Sequence, residues 1–522
     1  MNRFDVVIAG FGPTGATLAN LLAGRGHRVA IVDKSADIFP LPRAITADHE
    51  ALRVFQECGL ADAIEAGCVP HPGTDYLGAD GQVIKRFYPL ASARPLAWEP
   101  TFMFAQPELE AVLRHGLKRF AQVEYFLGAA FEHCEQNAEG VAVHLQGRGE
   151  PLHARYLLAC DGGRSAVRKQ YALPVQDLAF DESWIIVDAH LRRDMQLPAR
   201  CVQYCRPQRP GTYIVGPGPL RRWEIKMLPG ETPGDFQEEA AVRGVLAEFT
   251  DESGLEIIRT AVYRFHALVV EQWRQGRVFL LGDAAHQMPP FMGQGLCAGV
   301  RDAVNLAWKL DLAMRHGADE AILDTYMQER KPHVKTVVEH AKEFGLIIGE
   351  LDPRAARERD LRLTAEMASG RAETVRQKFI PHLAHGLIDA DAHGQPRGGA
   401  GQLFVQPWVR VAPEPWRRLD DVTGFSFLLA VRDAALLAQL PASARQEWEA
   451  MGGQYVVIGA ERGWQERDGL FATWAAEHGA QAVLVRPDRY VYGTAQDGAA
   501  LNALVSSLLA RLRPRALATG QA

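Results

Sequence analysis

The strongest constraint on the fold of this chain lies in its first 33 residues. An apolar, β-rich run at 4–9 is followed by Gly10, Gly12 and Gly15 in a GxGxxG pattern, and then by a helix-forming stretch to 23. A second apolar run, 27–32, ends at Asp33. Glycines at this spacing let a pyrophosphate approach a helix N-terminus, where free N–H groups and the helix dipole favour negative charge. The pattern predicts a dinucleotide-binding βαβ unit in which Asp33 accepts hydrogen bonds from a ribose.

Composition excludes several other classes of protein. The 522 residues are 47% hydrophobic and 23% charged, which suits a globular chain of about three domains. A net charge of -6 argues against nucleic-acid and polybasic membrane partners, and no apolar run approaches the roughly 20 residues of a membrane span. Asp5 and the glycines interrupt any signal-peptide pattern. The seven cysteines form no CxxC and no zinc spacing. We therefore expect a cytoplasmic protein with reduced thiols and no metal site.

Two later segments carry further chemistry. One is Cys160-Asp161-Gly162-Gly163-Arg164-Ser165, and the other runs from a buried strand at 277–281 through Asp283, Pro289 and Pro290 to Gly293-Gln294-Gly295. Asp283 ends its strand and could hold a sugar-alcohol hydroxyl. The glycines at 293 and 295 allow backbone N–H groups and a helix start to face a ring that carries developing negative charge.

Together these segments resemble the single-component FAD-dependent aromatic hydroxylases, the family of p-hydroxybenzoate hydroxylase. Within that family the sequence is most similar to the 3-(3-hydroxyphenyl)propionate/3-hydroxycinnamate hydroxylases. Matching stretches recur along nearly the whole chain, at 42–45, 106–110, 184–188, 221–224, 227–231, 324–330 and 486–491.

The resemblance implies a multidomain α/β and α+β fold. A Rossmann-like FAD-binding domain (1–75, 100–173 and 278–385, with the following helices) would be interleaved with an antiparallel-sheet substrate domain (76–99 and 174–277). A glycine-rich stretch at 386–402 is the best linker candidate. The tail, 400–522, would be a thioredoxin-like domain, and because it contains no cysteine it should be structural.

The resemblance also assigns residues to the cofactor. The expected FAD contacts are Gly10, Gly12, Gly15, Asp33, Lys34, Arg43, Gln106, Asp161, Asp283, Gly293, Gly295, Leu296 and Cys297. Asp161 belongs to a motif used for both FAD and NAD(P)H contacts. Pro289 and Pro290 would lie beside the flavin where the oxygen chemistry occurs. His286 is read as structural rather than catalytic.

The reaction that the resemblance implies is hydroxylation of a phenolic ring, ortho to its hydroxyl, within aromatic catabolism. NADH or NADPH would reduce the FAD, and O2 would then form a flavin C4a-hydroperoxide that the ring attacks. The expected substrate is 3-(3-hydroxyphenyl)propionate or a similar phenolic acid. The alternatives are a nitrophenol, halophenol, resorcinol-type or polycyclic substrate, or a flavin-binding sensor with poor turnover.

Candidate substrate residues come from their positions on predicted substrate-domain strands. Tyr204, Tyr213 and Trp223 are candidates for the pocket, and Arg209, Arg221 or Arg222 for pairing with a substrate carboxylate. A solvated strand face remains the alternative for Arg221, Arg222 and Lys226. The sequence leaves open the preference for NADH or NADPH and the group that promotes phenol deprotonation. It also leaves open the oligomeric state, and a homodimer would agree with the sequence.

Overall fold

A computed structural model of the chain describes residues 4–88, 94–459 and 463–513. The remaining positions of the predicted domains, 1–3, 89–93, 460–462 and 514–522, lie outside the described residues. The fold is the predicted mixture of α/β and α+β parts, built around two eight-stranded sheets and a smaller sheet in the tail.

The first large sheet has a core of five parallel strands that begins with the N-terminal βαβ unit. Its parallel strands lie in the order Val278–Leu280, Leu152–Ala159, Phe4–Ala9, Val29–Asp33 and Val123–Leu127. Arg274–Gln275 extends one edge, and the antiparallel strands Val141–Leu145 and Phe131–Gln136 branch from Leu152–Ala159. The strand Phe4–Ala9 is almost wholly buried, as is usual for a central strand of a parallel sheet.

The second large sheet is almost entirely antiparallel and carries the predicted substrate strands. Its order is His286–Gln287, Leu255–Val270, Val175–Leu191, Leu220–Lys226, Gly211–Val215, Cys201–Tyr204, Thr74–Leu77 and Val83–Phe87. Only the pairing of Cys201–Tyr204 with Thr74–Leu77 is parallel within this sheet. His286–Gln287 follows directly after the last parallel strand of the first sheet, so the chain passes from one sheet to the other at this point.

Helices cover the first sheet and connect it to the rest of the chain. The α-helices before the tail are Pro13–Gly24, His49–Glu57, Ala61–Glu65, Gln106–Gly116, Ala166–Gln170, Glu239–Leu246, Gly295–Arg315, Thr325–Ile348 and Pro353–Ala368. Pro13–Gly24 packs against Gly295–Arg315. Two small three-stranded sheets complete the fold, formed by Thr46–Asp48, Thr101–Met103 and Val69–Pro70, and by Arg417–Arg418, Trp408–Arg410 and Gln465–Glu466. Within the described ranges, no helix is both long and apolar enough to cross a bilayer.

The tail has the strand order of a thioredoxin-like fold. Its sheet runs Gln454–Val457, Leu428–Val431, Ala482–Val485, Val491–Ala495, with the first pair parallel and the other two antiparallel. The helices are Leu419–Thr423, Ala434–Ala438, Ala442–Ala450, Leu470–Glu477 and Gly498–Leu512. The stretch 386–402 is no free linker, because the Asp389 amide donates to the carbonyl of Tyr492 and the Gly401 amide to that of Val491.

A buried cluster of charges joins the tail to the long helices. The Glu329 carboxylate accepts from Lys309 Nζ and from Arg486, each at 2.7 Å, and from Asn305 at 2.7 Å. Arg486 also pairs with Asp488, and all four charged side chains lie in the core. Burial alone would raise the pKa of Glu329, but the charges of Arg486 and Lys309 outweigh burial and hold it at about 2.

Glu329→Gln should destabilise the folded protein. The amide would leave the charges of Lys309 and Arg486 facing a neutral group in the core, and breaking a buried pair in this way costs about 3–5 kcal/mol. We expect a clearly lower midpoint of thermal unfolding. Glu343→Gln is the matched control, because Glu343 lies on the same helix and is 68% exposed. Equal midpoints for the two variants would contradict the structural role of Glu329.

Candidate active site

A cavity of about 770 Å³ lies between the first large sheet and one face of the second. Its wall on the first sheet is formed by residues at the carboxyl ends of the parallel strands, where doubly wound folds bind their ligands. The opposite wall comes from the strands of the substrate sheet. Both the glycine motif and the substrate strands of the sequence therefore meet at one space.

The three glycines of the motif have different roles. Gly10 has φ of +103°, and a Cβ there would lie 2.2 Å from the Cys160 carbonyl oxygen. A Cβ at Gly15 would lie 2.0 Å from the Gly10 carbonyl oxygen. These two glycines let the backbone segments pack closely. Gly12 is different, because a Cβ there meets nothing within 4 Å and its position faces the cavity at the start of helix Pro13–Gly24.

Asp33 closes the second parallel strand and lines the same cavity, as does Lys34. Its carboxylate accepts from the Phe11 amide at 2.7 Å and from the Ser35 amide at 2.8 Å. These two bonds fix the carboxylate beside the glycine turn and leave it free lone pairs. The position suits acceptance of ribose hydroxyls.

Two further carboxylates in the cavity have unused hydrogen-bonding capacity. Asp161 accepts from the Ala166 amide through Oδ2, whereas its buried Oδ1 has no partner among the described residues. Asp283 lies deep in the protein, and this burial raises its pKa, yet its side chain is exposed to the cavity. Within the described ranges it makes no side-chain hydrogen bond. An acceptor that is deep, open and unpaired fits the hydroxyl groups of a bound cofactor.

Arg43 and Gln106 lie on the cavity wall between these groups. Gln106 accepts from the Ala44 amide at 2.6 Å and donates to Glu110 at 2.6 Å, so it fixes the loop that carries Arg43. The Arg43 side chain is 51% exposed, with Glu110 at 3.9 Å. Its guanidinium is therefore available to a ligand in the cavity.

The loop at 289–297 faces the cavity from the start of helix Gly295–Arg315. Pro290, Gly293, Gly295 and Leu296 line the space, whereas Pro289 and Cys297 are buried behind it. Gly293 has φ of +63° and sits against Thr46. The N-terminus of this 21-residue helix thus points at the cavity and favours electron-rich ligand atoms there.

The substrate sheet presents a mixed wall to the cavity. Ile186 and Ile214 contribute apolar surface, which Phe291 of the loop at 289–297 extends, and Gln203, Thr212 and Glu224 contribute polar groups. Burial raises the pKa of Glu224 to about 7, against the opposing charge of Arg222. Glu224 is therefore a carboxyl group that changes charge near neutral pH inside the cavity.

Arg222 reaches this wall, but its guanidinium is already paired. It donates to Asp188 at 2.7 Å and to the backbone carbonyls of Pro42 and Arg43 at 2.7 and 2.6 Å. The arginine therefore ties the substrate sheet to the loop beside Gln106. That arrangement leaves little capacity for a substrate carboxylate.

The other predicted substrate residues lie outside the cavity lining. Side chains alternate across a strand, so Trp223 and Tyr213 point to the opposite face from Arg222, Glu224 and Thr212, into a separate apolar cluster. Tyr204 packs against the same cluster. Arg209 pairs with Glu231 at 2.7 Å and with Glu248 at 3.6 Å. Arg221 is occupied by the carbonyls of the turn at 216–220.

Sequence reasoning missed several polar groups of the cavity: His71, Gln203, Thr212, Glu224 and Arg376. The period-2 alternation from Arg222 could have indicated Glu224, but nothing local to the sequence connects Arg376 with the substrate strands. Elsewhere in the described chain, the side chains of His133, Glu135 and His144 are grouped closely enough to hold a metal, and none of them lines the cavity. The prediction of no metal site stays a prediction.

Comparisons with known proteins agree with this geometry. The family model described as FAD binding domain matches residues 3–341, and one described as HcaD C-terminal domain matches residues 401–511. Relatives that are 32–33% identical over nearly the whole chain are named as aromatic hydroxylases. The chain belongs to the FAD-dependent aromatic hydroxylases.

Two relatives illustrate the membership. "Probable NADH-specific resorcinol 4-hydroxylase" of Rhodococcus jostii is 32% identical over 98% of this chain and 95% of the relative. "3-(3-hydroxy-phenyl)propionate/3-hydroxycinnamic acid hydroxylase 2" of Burkholderia vietnamiensis is 33% identical over 94% of this chain and 93% of the relative. The predicted class of enzyme, an FAD-dependent monooxygenase, is confirmed.

Solved structures show the same fold along the whole chain. Aklavinone-11 hydroxylase with FAD and aklavinone has a TM-score of 0.79 at 23% identity, covering 98% of this chain and 100% of that one. OxyS anhydrotetracycline hydroxylase from Streptomyces rimosus has a TM-score of 0.78 at 25% identity, with the same coverage. The predicted fold class, including the tail, is confirmed.

Gly12→Ala and Gly10→Ala should separate cofactor binding from folding. The Gly12 Cβ has space in the protein, so this variant should keep the wild-type thermal stability without cofactor and lose at least about tenfold in FAD affinity. Gly10→Ala should lower the stability of the FAD-free protein itself, because its Cβ collides with the Cys160 carbonyl. Fluorescence titration with FAD and thermal unfolding measure the two effects. Unchanged FAD affinity in Gly12→Ala would contradict the assignment.

Proposed function

We propose that this protein hydroxylates a phenolic ring ortho to its hydroxyl group, with NADH as the electron donor. The observation that supports this most directly is that one cavity joins FAD-type contacts to a partly apolar wall of the substrate sheet. The relative from Rhodococcus jostii is named as NADH-specific, which supports NADH over NADPH. When bound, FAD would carry electrons from the nicotinamide to O2 and activate it, so that one oxygen atom of O2 enters the ring and the other leaves as water.

The cofactor contacts predicted from the sequence are part of this proposal. Asp33 and Gly12 would hold the ADP half of FAD, Asp283 the ribityl hydroxyls, and the helix start at Gly295 the electron-rich edge of the flavin ring. Each of these residues lines the cavity. Lys34, Arg43, Gln106 and Asp161 lie along the same wall between them.

Apolar side chains would hold the aromatic ring and exclude water. Phe291 packs edge-on against Trp184, with ring centroids 5.0 Å apart, and against Phe265 at 6.0 Å. Pro290 continues this surface toward the glycine loop. Excluding water matters because it protects the oxygen-transfer step from wasteful release of hydrogen peroxide.

Glu224 is the residue that would accept the phenolic proton. It lies on the cavity face of strand Leu220–Lys226, directly across from Thr212. An unperturbed phenol has a pKa of about 10, so a nearby base eases its deprotonation at neutral pH. Because the pKa of Glu224 is about 7, the carboxylate and the carboxylic acid interconvert in the working range.

A cytoplasmic location and a homodimeric state belong to the same proposal. All seven cysteines are free thiols, which supports a reducing compartment. We also retain the predicted domain boundaries, with FAD-binding segments at 1–75, 100–173 and 278–385, substrate-domain segments at 76–99 and 174–277, and the tail at 400–522. Size-exclusion chromatography with light scattering would measure the oligomeric state.

The proposed reaction predicts substrate-dependent oxidation of NADH by the FAD-loaded protein. A panel of phenols should contain compounds that stimulate this oxidation severalfold, with NADPH less effective, and each should yield a catechol-type product. Product formed per NADH consumed, measured by chromatography, is the decisive quantity. Stimulated oxidation that yields only hydrogen peroxide would identify an oxidase instead, and a protein that binds FAD without turnover would favour the sensor alternative.

The proposed role of Glu224 as proton acceptor predicts how activity depends on pH. Activity should rise as pH increases through about 7, because the carboxylate form accepts the proton and the acid form does not. Glu224→Gln should lower kcat by about 10²-fold and remove this limb of the profile. Glu256→Gln is a suitable control, since Glu256 lies on the same sheet and is 53% exposed. An unchanged limb in Glu224→Gln would assign the proton transfer to another group.

A further inference from the structure

The arginines of the cavity differ in whether a carboxylate neutralises them. Seven of the described arginines line the space: Arg43, Arg114, Arg164, Arg222, Arg259, Arg264 and Arg376. Five of them have a carboxylate within 4 Å. Arg164 and Arg376 have none among the residues that the structure describes. Arg164 is exposed beside the glycine turn, whereas Arg376 belongs to the substrate wall.

Arg376 reaches that wall from a distant part of the sequence. It begins the short 3₁₀ turn Arg376–Phe379, after helix Pro353–Ala368. Its guanidinium donates to Thr74 Oγ1 at 3.3 Å, on the substrate sheet. A Cβ at Gly293 would lie 3.8 Å from Arg376 Nη1. The guanidinium therefore sits between the substrate sheet and the loop that begins helix Gly295–Arg315.

The neighbours of Arg376 leave its charge uncompensated. His71 lines the same part of the cavity, and burial, together with the charge of Arg376, holds the His71 pKa well below its usual value. The neutral His71 ring accepts from the Gly73 amide through Nδ1. Asp48 is nearby, but its carboxylate is bound by Arg301 at 2.6 Å and by Gln294 at 3.0 Å. Within the described ranges, the Arg376 guanidinium makes one hydrogen bond, to Thr74, so most of its five donors are available to a ligand.

The sheet register separates Arg376 from the proposed proton acceptor. Glu224 pairs with Thr212, Thr212 with Gln203, and Gln203 with Tyr76, next but one to Thr74. Three interstrand spacings of about 4.8 Å place the backbones of Glu224 and Tyr76 about 14 Å apart. Tyr76 itself packs against aromatic rings away from the cavity, but Thr74 lines the cavity and holds Arg376 at that end of the row. The space between Glu224 and Arg376 therefore suits a ring with a hydroxyl at one end and an anionic group at the other.

We propose that Arg376 binds a carboxylate of the aromatic substrate, so that this protein acts on phenolic acids in preference to neutral phenols. The inference rests on the proposed function and names its substrate class. A planar guanidinium matches a carboxylate with two parallel hydrogen bonds, and Lys cannot reproduce that geometry. The arginine thus takes the role that the sequence suggested for Arg209, Arg221 or Arg222, all of which are occupied within the protein.

Ligand binding to the FAD-loaded protein tests carboxylate recognition by Arg376 without turnover. The change in flavin absorbance on titration, with no NADH present, gives a Kd for 3-(3-hydroxyphenyl)propionate and for its neutral analogue 3-(3-hydroxyphenyl)propan-1-ol. The wild type should bind the acid more tightly. Arg376→Ala should weaken binding of the acid by about 10- to 100-fold and that of the alcohol by less than about twofold. Arg376→Lys should lie between wild type and Arg376→Ala for the acid alone.

Lys378→Ala is the matched control. Lys378 lies two residues further on in the same turn, is 66% exposed and pairs with Glu373, the one carboxylate it meets in the described part of the chain. Its loss should therefore leave both Kd values unchanged. FAD affinity and thermal stability are measured in parallel for every variant.

Three results would overturn the inference. Equal weakening of both ligands in Arg376→Ala would show a structural role for the arginine. Unchanged ligand binding with reduced FAD affinity would show that Arg376 contacts the cofactor. Wild-type protein that binds the alcohol as tightly as the acid, while neutral phenols still drive hydroxylation, would reject the phenolic acid and leave the proposed function intact. The proposed function itself fails only where no phenol yields a hydroxylated product.

Discussion

One buried carboxylate, Asp302, fixes the point at which the two large sheets meet. It accepts from the Gly282 amide at 3.0 Å, from His286 Nε2 at 2.7 Å and from Arg330 Nε at 2.9 Å. Burial would raise its pKa, but the charges of His286 and Arg330 outweigh burial and lower it. Gly282 precedes Asp283 at the cavity, and His286 starts the edge strand of the substrate sheet. Asp302 therefore aligns the cofactor wall with the substrate wall, because both depend on the same turn.

A second set of buried charges joins the tail to the helix that begins at the cavity. Arg301, the neighbour of Asp302, binds Asp48 and Glu50, and Tyr490 of the tail donates to Glu50 at 2.8 Å. Buried ion pairs add little net stability, but they tolerate few alternative arrangements because an unpaired partner is costly. The tail thus helps to hold the helix whose N-terminus faces the cavity. This explains physically how a thioredoxin-like domain without cysteines can contribute to a site that it does not line.

The sequence predicted those features whose causes are local. The βαβ unit follows from the glycine turn between two apolar runs, and strand Phe4–Ala9 was expected at those same residues. Cofactor-wall residues such as Asp33 and Asp283 could be named because they stand at the carboxyl ends of parallel strands, which share one edge. Asp33 ends its strand, whereas Asp283 lies three residues beyond Leu280 in a 3₁₀ turn. The residues of the substrate wall were harder to predict. Choosing Tyr213 and Trp223 over Thr212 and Glu224 depended on which face of an antiparallel sheet meets the cavity, and both faces of this sheet are covered.

Arg376 shows why the rest of the site could not be predicted from local pattern. About 300 residues separate it from Thr74, to which it donates a hydrogen bond, so only the tertiary fold brings the two together. Residue type gave no guidance either, since Arg222 and Arg376 look equally suited to an anionic substrate. The two arginines differ in their neighbouring charges. Asp188 neutralises Arg222, whereas no described carboxylate neutralises Arg376. A charged group on a cavity wall without a counter-charge is costly for the empty protein. This free-energy cost falls when an anion binds beside Arg376. The cavity therefore selects its ligand by charge as well as by shape.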